Sequence, residues 1–187
     1  MSVVHPQADG PFAGPSGIPL PETRISRALD SVIVFIGEVS SWIWTVLMLL
    51  IIYQVTQRYV FGLGSIKLEE AEWHLYAAGF MLAIPFAELR ERHIRIDVLA
   101  EHWPLKRRLW IELFGLLAFL LPFALFAMWW SAPYVAHSWR LNEISAAPDG
   151  LPAVYVLKSF IVATFALLAM VAVSRLSRVI AALRQLR

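Results

Sequence analysis

The sequence predicts an all-α, integral membrane four-helix protein with both termini cytoplasmic and a short interfacial amphipathic segment between helices 2 and 3. Three observations predict it. Four apolar stretches approach the roughly 20 residues that cross a bilayer at 1.5 Å rise each. Hydrophobic residues make up 59% of the 187 and charged residues only 16%, too apolar and too block-like for an ordinary soluble domain. Basic residues also gather on alternate connections, which gives a direction of insertion.

Residues 1–23 form the first unit. Pro6, Gly10, Pro11, Gly14, Pro15, Gly17, Pro19 and Pro21 crowd it, and it holds no apolar core of secretory-signal type. The composition predicts a disordered tail rather than a cleaved leader, with the first span acting as an uncleaved membrane signal. Residues 24–187 are then one four-span membrane domain. The first span, about 32–60, carries no formal charge over positions 39–57. The second, about 69–88, opens on Glu69, Glu70 and Glu72 and then runs uncharged from Trp73 to Ala87. A third, about 104–134, is charge-free from Leu113 onward, and the fourth, about 151–174, is interrupted only by Lys158. Pro152 suits the first turn of that last helix. Residues 175–187 read as a basic amphipathic extension, attracted to anionic lipid by about 1 kcal/mol per basic residue near the surface.

With four spans, the two tails and the 88–109 connection share one side. That side carries Arg24, Arg27, Arg90, Arg92, Arg95, Lys106, Arg107, Arg108, Arg175, Arg178, Arg184 and Arg187, against Arg58, Lys67 and Arg140 on the other. Twelve against three places both termini in the cytoplasm. Trp73, Trp129, Trp130 and Trp139 then fall near the outer boundary, and Trp103 and Trp110 near the inner one, where amphipathic rings settle. Trp42 and Trp44 lie deeper and suit a protein or lipid contact instead.

The span centres read Met48-Leu49-Leu50, Gly79-Phe80-Met81, Leu121-Pro122-Phe123 and Ala163-Thr164-Phe165. A catalyst or carrier keeps ionisable groups at that depth because its chemistry requires them. Their scarcity fits a supporting subunit, with no enzyme activity, cofactor or metal expected. A formal charge of +2 is too small to suggest nucleic acid, and the lack of cysteine excludes disulfides and thiolate metal sites.

A few residues stand apart from this apolar background. Glu38 is an acid within the first span. It is either a proton-coupling group or, as the favoured reading, an interfacial residue paired with a loop arginine. His74 is the only histidine in a span, and a b-type haem needs two. Lys158 either extends to outer headgroups or pairs with an acid on a neighbouring subunit. Glu69, Glu70 and Glu72 complement the N-terminal dipole of the second helix by up to about 1 kcal/mol each, and Glu112 does the same for the third. The alternative for the Glu69, Glu70 and Glu72 cluster is a docking edge for a soluble partner outside. Between Arg90 and Trp103, apolar residues 94, 98, 99 and 103 can form one face of a short interfacial helix. The mixed charges beside them, including His93, Arg95 and Asp97, favour packing against protein.

The order of these motifs resembles a known family. A first span ends Gln57-Arg58-Tyr59-Val60-Phe61-Gly62, and Glu69-Glu70 opens the second. That span leaves through Ala87-Glu88-Leu89-Arg90 into His93-Ile94-Arg95-Ile96-Asp97-Val98-Leu99, and two further spans follow. The pattern resembles the small permease subunit of tripartite ATP-independent periplasmic (TRAP) transporters, the DctQ family, over roughly residues 24–185. It departs from the family where an aromatic is expected before the acidic pair and Ile66-Lys67-Leu68 stands instead.

The resemblance implies a non-catalytic partner of a large multi-span permease subunit that holds the substrate and sodium sites. It also implies a place in a bacterial inner membrane and a periplasmic substrate-binding protein that delivers an organic acid. His93, Arg95, Asp97, Trp103 and Lys158 are then expected at a subunit or lipid interface, and Arg58, Glu69 and Glu70 at the outer docking edge. Two other functions compete: a self-sufficient four-helix proton-coupled exporter using Glu38, and the membrane anchor of a redox enzyme.

Overall fold

The computed structural model describes residues 20–90 and 103–186, and among these every regular element is helical. Helix α1 spans Arg24–Val60 and α2 spans Ile66–Leu89. Helix α3, Leu105–Gly115, passes through a π-helical turn, Leu116–Leu120, into α4, Leu121–Arg140. Helix α5 covers Val154–Gln185. Three of these rods are long and apolar enough to cross a membrane: α1, the continuous Leu105–Arg140 helix, and α5. At 24 residues α2 is about 36 Å long, but its first turns carry three glutamates and His74 and its end carries Glu88. Its uncharged stretch, residues 73–87, is shorter than those of the other three rods.

Local chemistry explains the boundaries. Thr23 caps α1 in a reciprocal box: its hydroxyl accepts the Ser26 N–H at 3.0 Å, and the Ser26 hydroxyl accepts the Thr23 N–H at 3.0 Å. Helical structure therefore begins well before the apolar run that suggests a start near 32. Pro122 accounts for the π turn. A proline ring clashes with the carbonyl four residues back and offers no N–H. Here the Leu121 N–H reaches Leu116 O, five residues away, and the widened turn takes up the strain. At the far end, Ala153 adopts the left-handed region (φ 63°) before α5 starts.

Helix α5 is the central post. It packs against α1 and α2 on one side and against α3, the π turn and α4 on the other. One apolar cluster joins Ile33, Leu82, Leu89, Leu167 and Val171; a second joins Leu109, Leu116, Leu176 and Val179 with Leu20. Leu20 thus belongs to the packed body, although the composition assigns it to the disordered tail. The basic extension from 175 is likewise part of α5 rather than a separate helix, and its Arg175 and Arg178 side chains turn inward. The interfacial segment with His93, Arg95 and Asp97 lies outside the described residues, as does the tail over 1–19.

Candidate functional site

Charge in this bundle is concentrated at its two ends. Where α1 begins and α5 ends, Asp30 accepts from the Ser174 hydroxyl at 2.6 Å through one oxygen and from Arg178 through the other. Next to it, Arg175 reaches Glu88 of α2 at 2.5 Å and Glu112 of α3 at 3.3 Å. Thr23 and Ser177 share a 2.7 Å hydrogen bond on the same face. Arg175, only 5% exposed, and its neighbour Arg178 therefore tie α1, α2 and α3 to the central post. Buried charges are tolerable only when paired and hydrogen-bonded in this way. Glu112 is here a counter-ion in the second turn of α3, not the helix-dipole residue the sequence suggests. None of Asp30, Glu88, Arg175 and Arg178 stands out as a site in the sequence. The available signal was a pair of arginines three apart at a span end, facing single acids on three other helices.

The opposite end is closed by the 141–153 connection. Glu70 accepts from the Ser145 hydroxyl and, at 2.6 Å, from the Leu151 N–H, while Lys67 meets Asp149 at 2.9 Å. Lys158 finds its counter-ion inside the chain: it bonds Glu143 at 2.5 Å and lies 4.1 Å from the centre of the Tyr134 ring. Its side chain is 13% exposed, so neither a headgroup nor a second subunit is needed to neutralise it. The hydrogen bond from Lys158 holds the Glu143 carboxyl below its ordinary range.

Glu69 and Arg58 form a looser pair at 3.7 Å with both side chains well exposed. Beside them, a cleft of about 400 Å³ between α1 and α2 is lined by Gln54, Arg58, Glu69, Glu72 and Trp73. The Oε1 atoms of Gln54 and Glu72 are buried there without a hydrogen-bond partner among the described residues. Of the expected outer edge, then, Arg58 and Glu69 face outward, and Glu70 is used internally. At the other end, Trp103 lies under the Arg107 guanidinium, 4.5 Å from ring centre to carbon.

Between the two ends the interior is largely apolar. The buried polar side chains at mid-depth, Ser40 and Thr164, donate to backbone carbonyls of Gly37 and of Met81 and Phe160. His74 Nδ1 lies 2.6 Å from Glu70 O, one turn back in its own helix. Among the described residues no cluster of three metal-ligating side chains occurs. Glu38, expected to pair with a loop arginine, is exposed on α1 and makes no ion pair with a described residue.

Long apolar helices joined by ion pairs at both ends, with a largely apolar interior between, define an integral membrane protein held together as one unit. Residues 47–182 match the DctQ component of tripartite ATP-independent periplasmic transporters, and the chain belongs to that family. It is a small subunit of a transporter of this class. No curated protein and no solved structure matches it.

Proposed function

We propose that this chain is a four-span scaffold subunit of the bacterial inner membrane, with both termini cytoplasmic and α2 as the fourth span. It holds the static part of a large multi-span permease subunit. It also helps dock a periplasmic substrate-binding protein during sodium-gradient-driven uptake of an organic acid. The observation that carries this reading is the combination of a largely apolar centre with ion pairs at both ends. Alternating access needs one part fixed while another moves, and a bundle whose four rods are joined through Arg175 and Arg178 suits the fixed part.

On the cytoplasmic side, His93, Arg95 and Asp97 with Trp103 contribute to assembly with the large subunit. On the periplasmic side, Arg58 and Glu69 form the edge near the docked binding protein. Their exposure, and the buried oxygens of Gln54 and Glu72 beside them, support that assignment. Glu70 and Lys158 serve it indirectly by shaping the 141–153 connection.

Purification in mild detergent tests the reading. The tagged chain should carry a large multi-span permease with it and show no haem absorbance. A stable chain that retains no permease, or one that carries a haem band, contradicts the scaffold role.

A further inference from the structure

Glu38 occupies an unusual position for a carboxylate. Asp30, eight residues nearer the charged end, is already sealed between Ser174 and Arg178. Glu38 therefore lies about 12 Å farther into the apolar part of the bundle. Its neighbour Gly37 abuts Phe86 of α2, where an added Cβ would come within 2.2 Å of the ring, and Ser40 is buried, so Glu38 is turned outward. No described residue neutralises it, and residues 47–182, the stretch matched to the family, do not include it.

Its surroundings show what it faces. Ser31, Ser41 and Thr45 lie on the same exposed side of α1 at helical spacing, flanked by Phe35 and Trp42, each 68% exposed. The Ser31 hydroxyl donates to Ala28 O at 2.8 Å and the Ser41 hydroxyl to Glu38 O at 2.6 Å. Their hydrogens are committed to the helix backbone, so beside the carboxylate these oxygens are left as acceptors.

The far side of the bundle is different. From Leu113 to Trp130 no hydroxyl, amide or charged side chain occurs, and Phe114, Phe119, Phe126 and Trp129 stand exposed. Hydrocarbon suits that second surface. It does not suit an ionised carboxylate, which is costly against lipid, whereas small polar residues at helical spacing are what helix–helix contacts in membranes use.

We infer that the outward face of α1 around Glu38 seats the large permease subunit, and that this subunit presents an arginine or lysine to Glu38 within the membrane. The inference rests on the scaffold reading above and adds the face and the chemistry of the contact. A cation answers both features of the surface: a carboxylate with no partner among the described residues and the Ser31 and Ser41 oxygens left as acceptors.

A photo-crosslinking amino acid placed at Trp42, with a control at Phe126, tests the face in the intact complex. Crosslinking to the large subunit from position 42 and not from 126 is the expected result. Crosslinking from 126 alone, or from 42 only to a second copy of this chain, overturns the assignment while the complex itself still purifies. A large subunit that never co-purifies refutes the scaffold reading instead.

The charge is tested separately. Glu38→Leu should lower the retained large subunit by about three- to thirtyfold, the range of one interhelical hydrogen bond. Glu38→Lys should lower it further, and Glu38→Gln, which keeps an acceptor, should lose least. The melting temperature of the isolated chain should not move in any of the three, because Glu38 has no partner among the described residues. Parent-like retention in both Glu38→Leu and Glu38→Lys overturns the cation assignment.

Discussion

Asp30 and Arg178 stand 148 positions apart in the chain and form an ion pair whose side chains are 5% and 7% exposed. The pair joins the first turns of α1 to the last turns of α5. Ser174 occupies the second carboxylate oxygen, so the acid is satisfied on both sides. Such a pair gives less net stability than its Coulomb energy suggests, because both ions lose water. Its value here is positional: it sets the register of α1 on the central helix.

Removing Arg178 leaves Asp30 buried with only the Ser174 hydroxyl, and removing Asp30 takes a buried counter-ion from Arg178. Asp30→Ala should therefore destabilise the chain by about 3–5 kcal/mol, and Arg178→Ala by a similar amount. The double variant Asp30→Leu with Arg178→Met should recover much of the loss. Thermal unfolding in detergent measures all three. A parent-like melting temperature for Asp30→Ala would show that the pair carries no structural weight.

Arg175 serves two acids on two helices, so its loss affects α2 and α3 together. Arg175→Met leaves Glu88 and Glu112 facing each other without their shared cation, at a cost of about 3 kcal/mol or more. Glu112→Gln keeps a hydrogen-bond acceptor and should cost less. Hydrogen exchange should rise in α3 for Arg175→Met while the half of α4 nearer Arg140 stays protected. Uniform protection across both helices contradicts this role.

Much of the architecture was legible in the sequence because a bilayer sets the length of an apolar run. Three of the four rods follow from that length alone, and α2, with charges at both its ends, does not. Which face of each rod is buried was not legible. The buried line of α1 runs Ser26, Asp30, Ile33, Gly37, Ser40, Leu47 and Gln54, while Phe35, Trp42 and Leu49 are exposed. Polar and small residues lie inside and large apolar ones outside, because lipid accepts the latter and close helix contact favours the former. Hydrophobic periodicity, which assumes water outside, cannot read such a helix. The ion pairs were hidden for another reason. Asp30, Glu88 and Glu112 sit on three different helices, and only the packing around α5 brings them to two arginines. Glu70 was visible as one of three clustered acids and Lys158 as an isolated charge, but their partners Ser145, Leu151 and Glu143 lie in a connection with no regular pattern.

Gly37 allows α1 to approach α2 over the Phe86 ring. A Cβ at this position would meet ring carbons at 2.2–2.8 Å, so the ring or the helix must shift. Gly37→Ala should destabilise the chain by about 1–3 kcal/mol, the range of overpacking in a filled core. Phe86→Ala combined with Gly37→Ala should be more stable than the sum of the two single changes allows. Strict additivity in that cycle would show that the two residues do not meet.

Glu143 makes the 141–153 connection sensitive to acid. Its carboxyl is held below the ordinary 4.5 by the Lys158 hydrogen bond. Because the folded value is the lower one, the contribution is fully present above 4.5 and is lost as pH falls through the depressed value. The Val154 N–H, which donates to Glu143 O at 3.1 Å, should stay protected from neutral pH to below 4.5 and open on further acidification. Glu143→Gln should be less protected at neutral pH and nearly independent of pH. Opening of the parent at pH values above 4.5 contradicts the sign of this shift.

Uptake by reconstituted vesicles tests the central claim most directly. Vesicles should hold this chain alone, the large permease subunit alone, or both, with the binding protein loaded with its organic acid outside and an inward sodium gradient. The scaffold account predicts uptake only when both subunits are present, and none from this chain alone. Uptake by this chain alone, or full uptake by the large subunit without it, contradicts the account.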